Sequence, residues 1–250
     1  LFQGESPVSI DTRRGQTGAR PSTTGGAREG AGRAAARSDR RTELFPELWE
    51  RRPEGLLHLL AESGCEAVHV FAARALRSCG AFLAQLDTEA VILLLGRPYE
   101  VTAELGYELA LQRYRPEAPD LQLLLALAGC AFAPARAQAH RWIDERREHF
   151  LRDGDFVLGL CTSPQADTRA FALRLLRSQA LSPAQAEPLI ARLIAYVLAL
   201  GEGRGAEARD IGQILLQAFA GPLRSVGTNV VMDLLQHPLR EVQEIGATAE

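Results

Sequence analysis

Lysine is absent from this 250-residue chain: all 28 of its Lys and Arg positions are arginine, set against 31 acids. With the abundance of Ala and Gly, that bias points to a GC-rich, bacterial genome and to no mechanism. Aromatic residues are scarce at 6%, so any core must be built largely from Leu and Ala. No apolar run approaches the roughly 18 residues of a membrane-spanning helix. The densest stretch, Leu121 to Ala133, is interrupted by Gln122 and Gly129 and stopped by Pro134, so no membrane association is expected. Cys65, Cys79, Cys130 and Cys161 contain no C-x-x-C pair. We read all four as reduced, buried, small hydrophobes, which with the lack of a secretory signal gives a cytoplasmic expectation. His58, His69, His140, His149 and His237 include no i, i+4 pair and no Cys at ligand spacing, which argues against a zinc site. Gly201-Glu202-Gly203-Arg204-Gly205 lacks the G-K-[ST] ending and the preceding strand of a phosphate-cradling loop. No G-x-S-x-G elbow is present. The chain is expected to be no enzyme and to need no cofactor or metal.

What is present divides in two. Residues 1–42 hold seven glycines and eight arginines against four acids, with almost no large apolar residue after Ile10. Such a segment buries too little to offset its ordering entropy, and a disordered basic tail is expected. Residues 43–250 hold 20 arginines against 27 acids, an acidic body. The opening Leu1-Phe2-Gln3-Gly4 looks like the end of a viral 3C protease site, and Glu250 falls inside a helical pattern. A tag remnant at one end and truncation at the other are the corresponding expectations.

One motif recurs along the body. Its clearest copies are Ser163 to Ala172 and His237 to Gly246, with weaker ones at Gly64 to Ala72, Arg97 to Gly106, Phe132 to Ala139 and Gly205 to Gly212. Taking His69, Thr102, Arg136, Arg169, Arg209 and Gln243 as equivalent anchors gives spacings of 33, 34, 33, 40 and 34 residues. An apolar run precedes each anchor, then a polar or Pro-containing turn, then a second helical pattern. Pro98, Pro164 and Pro238 stop the first helix and can open the second, where a missing N–H costs nothing. Glu100, Asp167, Glu207 and Glu241 suit the positive end of the second helix. Small residues three places after the anchor (Ala72, Ala139, Ala172, Gly212, Gly246) permit close helix approach, whereas Thr102 has Leu105 there and Gly106 one step on. Stripes such as Leu189, Ile190, Leu193, Ile194, Val197 and Leu198 must be covered by neighbouring units.

The turn and second helix at Ser163 to Ala172 and His237 to Ala247 resemble the HEAT repeat family over roughly residues 54–250. The resemblance implies an all-α fold, an α-solenoid of about six helix pairs offering a curved surface for another macromolecule; an ARM-like three-helix variant is the alternative. The acid that usually precedes the turn proline is replaced by Arg97, Ser163 or His237, and arginine is kept at the anchor only at Arg136, Arg169 and Arg209.

The run His140 to Phe150 reads as one helix with an Arg141 to Glu145 ion pair and with Trp142 and Phe150 turned inward. Its sharper reading is a docking site built on Trp142, Arg141 and Arg146, extended by Arg174 and Arg177 and by Arg74 and Arg77 at equivalent repeat positions. The expected function is a non-catalytic protein–protein interaction scaffold within a larger multidomain protein. The alternative resembles the HEAT-repeat DNA glycosylases, which bind nucleic acid; the acidic body weighs against it, although the basic tail offers a nucleic-acid contact.

Overall fold

The computed structural model describes residues 45–249, so the expectations for residues 1–42 lie outside it. Among the described residues there are 16 helices and no strand, and helix accounts for 75% of the structure. The helices are α1 (Pro46–Glu50), α2 (Pro53–Glu62), α3 (Glu66–Arg77), α4 (Gly80–Gln85), α5 (Thr88–Leu95), α6 (Glu100–Arg113), α7 (Leu121–Gly129) and α8 (Ala133–Glu145). They continue as α9 (Arg147–Phe150), α10 (Gly154–Cys161), α11 (Ala166–Ser178), α12 (Pro183–Leu198), α13 (Gly205–Ala218), α14 (Ala220–Leu223), α15 (Thr228–Leu235) and α16 (Arg240–Ala249).

Six helix pairs carry the packing: α2/α3, α5/α6, α7/α8, α10/α11, α12/α13 and α15/α16. First helices pack in the succession α2, α5, α7, α10, α12, and second helices in the successions α3, α6 and α8, α11, α13, α16. Two steps are looser, α6 to α8 and α12 to α15. At the first, aromatic pairs fill the space: Tyr107 against Phe132 at 5.8 Å, and Tyr114 stacked on Trp142 at 3.7 Å and 8°. Short third helices, α4, α9 and α14, follow alternate pairs.

The sequence explains where first helices begin. Asp87, Asp120 and Asp153, each 33 residues apart, accept from backbone N–H groups at the starts of α5, α7 and α10, at 2.8 Å for Ala90 N, 3.0 Å for Gln122 N and 2.8 Å for Phe156 N. Each such cap satisfies donors that the helix itself leaves open. Near the end of α2, Arg97 donates to the Ala61 carbonyl at 2.6 Å, and at the end of α4 Arg113 donates to the Leu86 carbonyl at 2.7 Å.

Close approach within a pair corrects one register. A Cβ on Gly106 would lie 3.1 Å from Leu95 N, and one on Gly246 would lie 3.1 Å from Leu235 N. Leu95 and Leu235 both end first helices, so Gly106 and Gly246 are equivalent and the second pair's anchor moves from Thr102 to Ala103. With that shift Gly106, Ala139, Ala172, Gly212 and Gly246 all stand three places after their anchors.

Two further expectations change. The run from His140 is broken at Arg146 (φ −130°, ψ 35°), so Phe150 ends the separate α9, where it is fully buried. Cys79, Cys130 and Cys161 are buried, and burial pushes the Cys161 thiol up to about 12, but Cys65 is exposed in the three-residue turn before α3.

Leu175 and Leu193 are 3% and 0% exposed, whereas Arg174 and Arg177 lie on the open side of α11. Leu193→Ala should therefore cost about 2–5 kcal/mol, Gly106→Ala about 1–3 kcal/mol through overpacking on Leu95, and Arg177→Ala about 0.5 kcal/mol or less. Urea titration of the three variants measures the ordering, and an equal loss at Leu193 and Arg177 would reject this packing.

Candidate interaction surface on the second helices

The anchors build a connected polar network. In four pairs the anchor side chain turns back to the carbonyl six residues earlier, in the turn that closes its own first helix. His69 Nε2 lies 2.8 Å from Ser63 O, Arg136 Nη1 3.0 Å from Cys130 O, Arg169 Nη1 2.7 Å from Ser163 O, and Gln243 Nε2 2.8 Å from His237 O. These contacts satisfy carbonyls that the ending helix exposes.

Three of these side chains, and Arg209 of the fifth pair, reach sideways to the next pair. Arg136 meets Asp167 at 2.8 Å, Arg169 meets Asp210 at 2.6 Å, and Arg209 meets Glu241 at 3.0 Å. His69 Nδ1 meets Thr102 Oγ1 at 2.8 Å. Because Ser63 O can only accept, Nε2 carries the proton and Nδ1 accepts the Thr102 hydroxyl. Two of the first-turn acids, Asp167 and Glu241, thus serve as lateral partners. Glu207 instead accepts from Tyr196 Oη at 2.6 Å and from Arg204 Nε at 2.8 Å, beside the longer turn 199–204.

Five places after the anchor, the second helices carry Arg74, Glu108, Arg141, Arg174, Ile214 and Thr248. Only α8 and α11 are adjacent helices with arginine at this position, and between them lies a groove of about 350 Å³. Arg141, Arg147 and Arg174 line it with His140 and Asp144, over a floor of Phe171 and Leu175. Arg174 sits 5.6 Å over the Phe171 ring, and the His140 ring stacks on Phe171 at 4.3 Å. Arg147 is held by Asp144 at 3.3 Å. Arg141 donates to the side chain of Gln138, three residues back, and forms no ion pair with Glu145. Neither Arg141 nor Arg174 meets a carboxylate among the described residues.

His140 has a defined role here. Thr168 Oγ1 donates its one proton to Ala128 O at 2.5 Å, so His140 Nε2, 2.9 Å away, must donate to Thr168. Burial depresses the His140 pKa, aided by the nearby arginines and opposed by Asp167.

Not every candidate from the sequence reaches this groove. Trp142 is half-buried against Tyr114 and acts as a wedge at the loose α6 to α8 step. Arg146 lines a neighbouring depression with Glu145, Glu148, His149 and Arg152. Arg177 makes only a 3.4 Å contact to Gln217. Arg77 is tied on α3 by Glu104 and Glu108, both at 3.0 Å, and Arg74 lies on the same helix, away from the groove. Reading by residue type missed Arg147 and Phe171; the repeat register, extended five places past each anchor, would have shown Arg141 and Arg174 to be equivalent.

Elsewhere, α12, α14 and α15 border an apolar cavity of about 650 Å³ lined by Ile190, Ile194, Leu198 and Val230, where the first-helix succession loosens. No group of three His, Cys, Asp or Glu side chains placed to share a metal ion occurs among the described residues, and no described helix is long and apolar enough to cross a membrane. The chain matches no protein-family model, no curated protein and no solved structure.

Two measurements check this account. Asp210→Ala should cost about 3–5 kcal/mol, because it strands the Arg169 guanidinium in a site only 5% exposed. Glu241→Ala should cost about 1 kcal/mol or less, since Arg209 is mostly solvated. Similar losses at both positions in denaturant titration would contradict the network.

With its pKa depressed, His140 takes up a proton in the unfolded chain before it does so in the folded one. Its contribution to stability is present above the ordinary imidazole value of about 6.5 and is lost as pH falls from there toward the depressed value. Thermal melts between pH 7.5 and 5 should show wild type losing more stability than His140→Gln, and parallel curves would refute the assignment.

Proposed function

We propose that residues 43–250 form an α-solenoid of six HEAT-like helix pairs that serves as a non-catalytic protein–protein interaction scaffold, one segment of a larger multidomain cytoplasmic protein. The observation that carries this reading is the paired-helix succession with its repeated anchor, because a unit that covers its apolar stripe only with its neighbour is the physical definition of a stacked repeat. Supporting it, the anchors consume their polarity within the array, while arginines five places further along the second helices of the third and fourth pairs are left without acids. A fixed scaffold with unspent arginine on one set of helices suits recognition of another chain.

The test is affinity capture with the full chain from cells of the source organism after nuclease treatment, followed by hydrogen exchange on the captured complex. A nuclease-resistant protein partner that slows exchange in α8 and α11 is expected. Loss of all capture on nuclease treatment would overturn the scaffold reading in favour of nucleic acid. Protection confined to residues 1–42 would overturn it too, by leaving the helical body without a role.

A further inference from the structure

The groove between α8 and α11 has a shape and charge that narrow its ligand. Arg141, Arg147 and Arg174 face a single acid, Asp144, which already engages Arg147 at 3.3 Å. Four second-helix arginines, Arg77, Arg136, Arg169 and Arg209, are held by a carboxylate of a neighbouring helix. Arg141 and Arg174 depart from that pattern at equivalent positions on adjacent helices, with Arg174 braced over Phe171. Two guanidinium forks without an internal carboxylate, Arg141 meeting only the Gln138 amide, are suited to anionic oxygens from outside.

We propose that this groove is the docking site for a short, carboxylate-rich segment of a partner protein. The proposal rests on the scaffold reading and gives that partner its chemistry. Width decides for a peptide over nucleic acid. Beyond α8 and α11 the equivalent position is Glu108 on α6 and Ile214 on α13, so the cationic strip is only two helices wide. Packed helices lie about 8–10 Å apart, so the strip spans about one interhelical step. A phosphate backbone running further would meet Glu104 and Glu108 on α6, and Glu145 and Glu148 beside the groove. Charges are screened within about 8–10 Å at physiological salt, so a segment with two or three carboxylates senses the local arginines and not the acidic body. Phe171 and Leu175, 4% and 3% exposed, close the floor and hold the ligand at the level of the guanidinium groups.

The experiment is fluorescence anisotropy on the full chain with three labelled probes: a twelve-residue glutamate-rich peptide, the same peptide with glutamine for glutamate, and a single-stranded oligonucleotide of about twelve nucleotides. The basic residues 1–42 are common to wild type and variant, so the difference between the two is what is read. The Arg141→Ala/Arg174→Ala protein is expected to bind the glutamate peptide at least tenfold more weakly than wild type, with an unchanged urea midpoint. Arg224→Ala, elsewhere on the surface, should bind as wild type does. Equal affinity of wild type and double variant would overturn the proposal, as would equal affinity for the glutamine peptide. An oligonucleotide bound more tightly than the glutamate peptide, and lost in the double variant, would assign the groove to nucleic acid and overturn it as well. If the captured partner of the scaffold experiment still binds the double variant, this inference fails while the scaffold reading stands.

Discussion

The structure depends on the return of one side chain to the end of the helix before it. A first helix that stops inside a packed body leaves carbonyls without partners, and each costs free energy if it stays unpaired. His69, Arg136, Arg169 and Gln243 answer that need six residues downstream, from the first turns of the second helices. The chemistry differs, an imidazole, two guanidiniums and an amide, but the donor arrives at the same place. The long guanidinium has donors to spare, and these bind Asp167 and Asp210, so the contact that closes one pair also ties it to the next.

The arrangement of the exposed groups follows from this. The early arginines of α8, α11 and α13, Arg136, Arg169 and Arg209, are drawn into the array and neutralised, so on α8 and α11 the charge that remains available comes from later in the helix. Arg141 and Arg174 lie more than a turn beyond their anchors, past the reach of the lateral acids. In the second pair the same place is filled by Glu108, which satisfies Arg77 and closes that part of the surface.

Much of the fold was legible because its signals are periodic. Small residues and anchors recur at 33 or 34 residues with one step of 40, turn prolines mark three of the pairs, and a repeat in sequence is a repeat in packing. The 33-residue run of Asp87, Asp120 and Asp153 was equally available and went unread, since a cap is a single residue with no periodic neighbour of its own. Spacing alone allows Thr102 as an anchor; the approach of Gly106 to Leu95 shows that apolar Ala103 holds the place. The candidate surface was half visible. Residue type singled out Trp142 and Arg77, but composition cannot tell a free side chain from one held by Tyr114 or by Glu104 and Glu108 thirty residues away.

The fifth pair shows what the six-residue return means for change in this chain. Its turn, residues 199–204, is the longest of the six, with Gly203 at φ +90°, and Arg209 there keeps its lateral acid without a carbonyl of its own turn. Arg204, Glu207 and Tyr196 form a local cluster in its place. The anchor is in effect a gauge of the last three turn residues: one inserted between acceptor and second helix carries the donor past its acceptor. Variation in length is therefore admitted before the acceptor, as the three- and four-residue turns show, and beyond that is accompanied here by a substitute cluster.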